Sequence, residues 1–187
     1  KVTGVQTCAL PISTPEPTPE PTPEPTPAPS NLTCKNEPVT VDLSLGQEPT
    51  EGDDVIFGTS SADVIDGKGG NDLICGGGGG DTIYGGPGND RIYSQGGRDT
   101  VYGGAGDDRI FGGGGADEIH GEAGNDRLIG GGGSDTMFGG DGLDFMKGSK
   151  HSDHLFGDAG NDKLLGNAGD DTLEDRKSTR LNSRHLV

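Results

Sequence analysis

The chain has 187 residues, of which 38 are glycine and none is tryptophan; apolar residues make up 27% and the net charge is −17. So little apolar surface cannot offset chain entropy in an ordinary globular core, and so large an acidic excess opposes a nucleic-acid partner. A strict repeat is one route by which such a composition still folds.

Residues 1–12 (KVTGVQTCALPI) and the segment opening 175–187 (DRKSTRLNSRH) can be encoded by one DNA segment read on opposite strands. Pairing Ile12 with Asp175 and moving outward to Val2 and His185, ten of eleven positions agree, Arg184 being the exception. Both ends are therefore expected to be a translated sequencing adapter, with the genuine sequence running from 13 to 174. Without them the chain keeps nine basic and thirty acidic residues, a net charge of −21. The basic C-terminus is then no nucleic-acid-binding tail, and Cys8 drops out. Cys34 and Cys75, far apart, make no disulfide framework, and each is expected to be an unpaired thiol. No run reaches transmembrane length.

Residues 13–30 contain TPEPTPEPTPEPTPAPS. Proline at every second position excludes helix and central strand, so a disordered, extended polyproline II linker is expected. Residues 31–48 form a short mixed segment. Within it Val39-Thr40-Val41-Asp42-Leu43 alternates apolar and polar, as one strand would, and is expected to lie over the first coil as a cap.

From 49 to 174 the chain is one repeat. Aspartate stands at Asp54, Asp63, Asp72, Asp81, Asp90, Asp99, Asp108, Asp117, Asp126, Asp135, Asp144, Asp153, Asp162 and Asp171, fourteen copies nine apart without insertion or deletion. Two residues after each is an apolar side chain, from Ile56 and Ile65 to Leu164 and Leu173. Glycine dominates five, four and two residues before the aspartate. Gly85-Gly86-Pro87-Gly88-Asn89-Asp90-Arg91-Ile92-Tyr93 is a good copy.

This unit resembles the RTX nonapeptide, G-G-x-G-x-D-x-U-x with U a large apolar residue, a motif known for calcium-binding β-helices. The resemblance covers 126 residues. It implies an all-β fold, a right-handed parallel β-roll of about seven 18-residue coils, each made of two nonapeptides. It also implies calcium ions between successive coils on each side, with the aspartate as side-chain ligand and turn carbonyls supplying the rest. One column is Asp54, Asp72, Asp90, Asp108, Asp126, Asp144 and Asp162; the other is Asp63, Asp81, Asp99, Asp117, Asp135, Asp153 and Asp171. The carbonyl ligands it implies include Gly76, Gly78, Gly85, Gly103, Gly112, Gly114, Gly130 and Gly132. Seven turns a side leave at most twelve sites.

The same residues carry a physical argument. Nine residues divide into a six-residue turn, which glycine permits, and a three-residue strand x-U-x. Three residues are too few for an independent strand but can stack at about 4.8 Å beneath identical ones. The inward U side chains form only a thin ladder, too little to fold the chain alone. Two carboxylates about 5 Å apart repel by roughly 1–3 kcal/mol. A divalent cation between coils reverses that sign, and a donor set of carboxylate and carbonyl oxygens without thiolate or imidazole suits a hard ion. Calcium tolerates such flexible cages better than magnesium. Binding coupled to folding is therefore expected.

Some turns depart from the pattern: 49–54, 58–63, 94–99 and 148–153 have lost glycines, and fewer than twelve ions are expected. His151 and His154 beside Asp153 read as drift in a degraded repeat. Tyr84, Tyr93, Tyr102 and Phe111, each directly after U, are expected to cover neighbouring strands. Neither HExxH nor GxSxG occurs, so no catalytic site is read in the visible chain. The expected role is a non-enzymatic calcium-binding module of a secreted or cell-surface protein. The alternative is the C-terminal part of an RTX enzyme (protease, lipase or polysaccharide-modifying) or of an adhesin whose functional domain lies elsewhere.

Overall fold

The computed structural model describes residues 33–176. The linker at 13–30, the adapter-like segment 1–12 and all but two residues of 175–187 lie outside them.

The repeat forms a parallel β-solenoid of about seven coils. Within the repeat, strands alternate between two facing parallel sheets, so a repeat strand's hydrogen-bonded neighbour there lies two strands on in the chain. One sheet has eight strands, running from Val41–Asp42 through Val55–Phe57 and Leu73–Gly78 to Lys163–Ala168; the other has seven, from Val64–Asp66 to Thr172–Glu174. Within the repeat the register is 18 residues throughout; only the leading strand departs, Val41 pairing with Ile56 15 residues on. Ile110 pairs with Ile92 and Leu128 in one sheet, and Ile119 with Val101 and Met137 in the other. Identical phases therefore stack on identical phases, and the apolar residue of each nonapeptide meets its counterparts between the sheets. From Ile56 to Leu155 these side chains are buried; Leu164 is partly so. Leu173 is 38% exposed because its strand has a neighbour on one side only.

The strands are longer than the three residues that the repeat arithmetic suggests. Most run for six, as in Arg91–Gly96 and Arg109–Gly114. The glycine pair after x-U-x keeps its amides and carbonyls in the ladder, with Gly113 paired to Gly131 and Gly114 to Gly132. Glycine bends the strand into the turn without leaving the sheet, and the residue two after U again faces inward.

Ahead of the first coil, Val41–Asp42 pairs in parallel with Val55–Phe57 and buries Val41 against Ile56. A small antiparallel hairpin, Thr33–Cys34 with Glu37–Pro38, lies outside the eight-stranded sheet. Here the expectation of two unpaired thiols fails. Cys34 and Cys75 form a disulfide with Cα atoms 5.9 Å apart. Cys75 follows U and points outward, and the hairpin covers that spot, burying both sulfurs with Leu73. Closing a 41-residue separation restricts the unfolded chain by about 4 kcal/mol on a chain-entropy estimate. Reduction, or the Cys34→Ser variant, is expected to lower the stability of the calcium-loaded roll by about 2–4 kcal/mol. Thermal unfolding followed by circular dichroism measures this, and an unchanged midpoint would show that the staple contributes nothing.

The outward aromatic residues behave as strand covers. Tyr84, Tyr102, His120, Phe138 and Phe156 form one continuous stack on the seven-stranded sheet, with centroids 4.7–5.1 Å apart. Tyr93 and Phe111 stack at 4.8 Å on the other sheet.

Candidate metal centre

Every coil turns twice, and each turn ends on an aspartate whose side chain folds inward. From Asp72 to Asp153 these carboxylates are almost completely buried. Their two oxygens have different fates. Oδ1 accepts the backbone N–H of the aspartate one coil earlier, at 2.8–3.0 Å: Asp54 N–H donates to Asp72, Asp90 N–H to Asp108, Asp117 N–H to Asp135. Oδ2 accepts nothing. In Asp72, Asp81, Asp90, Asp99, Asp108, Asp117, Asp126, Asp135, Asp144 and Asp153 it is buried without a hydrogen-bond partner. A buried unpartnered carboxylate oxygen is costly, and ten in register call for an explanation.

What Oδ2 faces supplies one. A Cβ placed on Gly85 would stand 2.5 Å from Asp90 Oδ2 and 2.5 Å from the carbonyl oxygen of Gly103 in the next coil. On Gly121 it would stand 2.5 Å from Asp126 Oδ2 and 2.5 Å from Gly139 O; on Gly112, 2.6 Å from Asp117 Oδ2 and 2.7 Å from Gly130 O. Glycine thus keeps open a cradle lined by one carboxylate and one carbonyl oxygen, which a side-chain carbon at that position would fill. Only oxygen donors line it, which suits a hard cation. Among the described residues no three His, Cys, Asp or Glu side chains converge as a metal-binding group. Each cradle has one carboxylate and would draw its other donors from the backbone.

The electrostatics agree. Burial raises Asp108 and Asp135 from 3.8 to about 7, and Asp72, Asp117, Asp126 and Asp144 to about 6. Asp81, Asp90 and Asp153 rise for the same reason. The backbone N–H on Oδ1 offsets part of the rise, and most gain a further upward push from aspartates of the same column.

The expected ligands are not all alike. Asp54 and Asp63, the first of each column, have Oδ2 taken: the N–H and hydroxyl of Thr50 donate to Asp54 at 2.7 and 2.9 Å, and those of Thr59 to Asp63 at 2.6 and 2.9 Å. These threonines stand four residues before the aspartate, where six of the twelve later turns carry glycine. Asp162 Oδ1 accepts from Asp144 and Asp171 Oδ1 from Asp153, and both residues, like Asp63, are only partly buried. Of the glycines, Gly85, Gly103 and Gly130 place their carbonyl oxygens at the same cradles as the Oδ2 of Asp72, Asp90 and Asp117, and Gly76 O borders the cradle of Asp63. The carbonyls of Gly114 and Gly132 accept the amides of Gly97 and Gly115. Gly78 donates its amide to Thr59 O. Gly121, Gly139 and Gly157 hold the same place as Gly85 and Gly103; the nine-residue phase already marks them.

Two irregular turns depart further. Ser94 replaces the cradle glycine, and its buried hydroxyl donates to Gly112 O at 2.7 Å, filling the space beside Asp99. In the turn ending at Asp153, Ser149 and His151 adopt φ of 104° and 75°, and His151 Nδ1 accepts the Gly133 amide. His151 is thereby a turn residue, in keeping with its reading as drift.

A stack of oxygen-lined cradles down both edges of a parallel solenoid defines a calcium-type β-roll. Comparison with protein-family models agrees. The RTX calcium-binding nonapeptide repeat (4 copies) matches at residues 49–83, 76–110, 84–119, 111–146 and 147–174, together two thirds of the chain. The chain belongs to the RTX calcium-binding nonapeptide repeat family, whose fold is a calcium-binding roll and not a catalytic one. No curated protein matches it. Among the described residues no helix is long and apolar enough to cross a membrane.

Proposed function

We propose that the chain is a calcium-triggered folding module of a secreted or cell-surface protein. Ions between successive coils would be held by the aspartates from Asp72 to Asp153 and by carbonyls of the next coil, such as Gly103 O for Asp90 and Gly130 O for Asp117. The observation that carries this reading is the set of ten buried, partnerless Oδ2 atoms. Without cations these carboxylates repel along each column; with them, each coil is tied to the next. Asp54 and Asp63, satisfied by threonine, would bind weakly or not at all, and Ser94 occupies one cradle. Several ions are therefore expected, no more than ten. The Cys34–Cys75 disulfide supports an oxidising, extracellular location.

The test is a calcium titration of the whole chain followed by far-UV circular dichroism and native mass spectrometry. The expected result is a cooperative gain of β signal with uptake of several ions, reversed by a chelator. A spectrum unchanged by millimolar calcium, or magnesium acting equally well, would defeat the proposal.

A further inference from the structure

The outward faces of the two sheets differ sharply in charge. The residues flanking U on the eight-stranded sheet include Arg91, Arg109, Arg127, Lys147 and Lys163 and not one acid. The corresponding positions of the seven-stranded sheet hold Asp66, Glu118 and Glu174 and neither lysine nor arginine. Five of the nine basic residues between 13 and 174 thus share one face of a strongly acidic molecule.

Three of them form a column. Arg91, Arg109 and Arg127 are direct cross-strand neighbours, so their Cα atoms are about 4.8 Å apart. Like charges placed directly opposite destabilise a sheet. None of the three makes an ion pair; the one ion pair among the described residues joins His120 and Glu118. Arg127 instead rests over the ring of Phe145, 4.5 Å from its centroid, with Lys163 on the same ring at 5.3 Å.

We propose that this face binds a linear, carboxylate-bearing polysaccharide laid along the solenoid axis. Guanidinium forks pair with carboxylates in two-point contacts, which a neutral sugar cannot satisfy. The face is about 10 Å wide, three strand residues; the hairpin covers its first two coils, and the five strands from Arg91–Gly96 to Lys163–Ala168 leave about 24 Å of length, so it accepts one extended chain in single file. A double helix or a bilayer is wider and would bring its phosphates against the neighbouring acidic turns, which carry Asp107 and Glu122. A single-stranded nucleic acid needs open ring faces for its bases. Tyr93 and Phe111 stack face to face at 3° between planes and offer their edges. Carboxylates one sugar ring apart match the ladder spacing without needing ring faces.

The proposal rests on the calcium-bound roll only in requiring that the strands be formed, so far-UV circular dichroism accompanies every binding measurement. The probe is a short galacturonate oligomer, titrated calorimetrically into the calcium-saturated chain, with glucose oligomers and a single-stranded oligonucleotide of equal charge alongside. The expected result is binding of galacturonate that weakens with salt and is lost about tenfold or more in the Arg91→Gln, Arg109→Gln, Arg127→Gln triple variant. A triple variant Thr82→Glu, Thr100→Glu, Thr136→Glu makes the same change in net charge on the opposite sheet and should alter affinity by less than about twofold. With the fold intact, equal binding by parent and arginine variant, equal binding of glucose oligomers, or tighter binding of the oligonucleotide would overturn the proposal. A chain that gains no β signal with calcium would instead overturn the folding proposal above.

Discussion

Alanine at Gly97 is expected to abolish calcium-driven folding at ion concentrations that fold the parent, whereas alanine at Gly96, its neighbour, leaves folding unchanged or slightly easier. Both are glycines of one irregular turn, yet their surroundings differ. Gly97 has φ 140°, a conformation open essentially to glycine alone, and a Cβ there would fall inside the carbonyl oxygen of Gly79 in the preceding coil. That carbonyl belongs to the backbone and has no flexible side chain to yield. Strained backbone of this kind costs about 1–3 kcal/mol, and the clash, with threatened loss of the Gly97 N–H bond to Gly114 O, adds to it. A loss of at least about 3 kcal/mol is expected. Around Gly96 a Cβ would meet nothing within 4 Å. Alanine there restricts only the unfolded chain, a gain of about 0.4–1 kcal/mol. Calcium midpoints of the two variants by circular dichroism separate these outcomes. Equal midpoints would mean that the coils are not packed as closely as described.

The difference between those two glycines shows what a nine-residue repeat conceals. Its phase places the aspartate column, the apolar ladder and the parallel stacking, because each depends on one residue type at one offset. Averaging over nine residues also merges the two edges of the roll, whose real period is 18. Read at 18, the residue before the aspartate runs Asp53, Asn71, Asn89, Asp107, Asn125 on one edge. There each side-chain oxygen accepts an amide from the next coil: Asn71 N–H donates to Asp53, Asn89 N–H to Asn71, Asp107 N–H to Asn89, Asn125 N–H to Asp107. Those bonds, with the Asn125 side chain, hold the Asp107 carboxyl below its ordinary range. The other edge has Ala62, Gly80, Arg98, Ala116 and Ser134 in that place and shows no continuous ladder, though Ser152 further on accepts the Asp170 amide at 3.2 Å. The Arg91–Arg109–Arg127 column becomes visible at the same period.

Other features lay beyond any periodicity. The pairing of Cys34 with Cys75 depends on a hairpin folding back across the outer face of a strand, a tertiary event that sequence separation does not encode. Thr50 and Thr59 were legible in principle, since a hydroxyl residue four before an aspartate can close onto it. They replace glycines, however, and in a glycine motif a threonine reads as decay when here it satisfies the carboxylate.

Acid is expected to push the calcium-free and calcium-bound chains in opposite directions. In the ion-free roll, burial and the neighbouring carboxylates hold Asp108 and Asp135 at about 7, and Asp72, Asp117, Asp126 and Asp144 at about 6, against 3.8 for the unperturbed group. A carboxyl whose folded pKa is raised favours the fold while protonated. Its contribution is complete below about pH 4 and is lost as pH rises through 6 to 7. Calcium-free chain should therefore gain β signal as pH falls from about 7 to 4. Calcium needs the ionised carboxylate, so protons compete with it over the same window. The calcium midpoint for folding should rise as pH falls below about 7, by about tenfold per unit for each proton displaced per ion. Circular dichroism in calcium-free buffer, and calcium titrations at several pH values, measure both limbs. A calcium-free chain that stays unordered at pH 4, together with a midpoint independent of pH, would mean that the buried Oδ2 atoms are not where the cation binds.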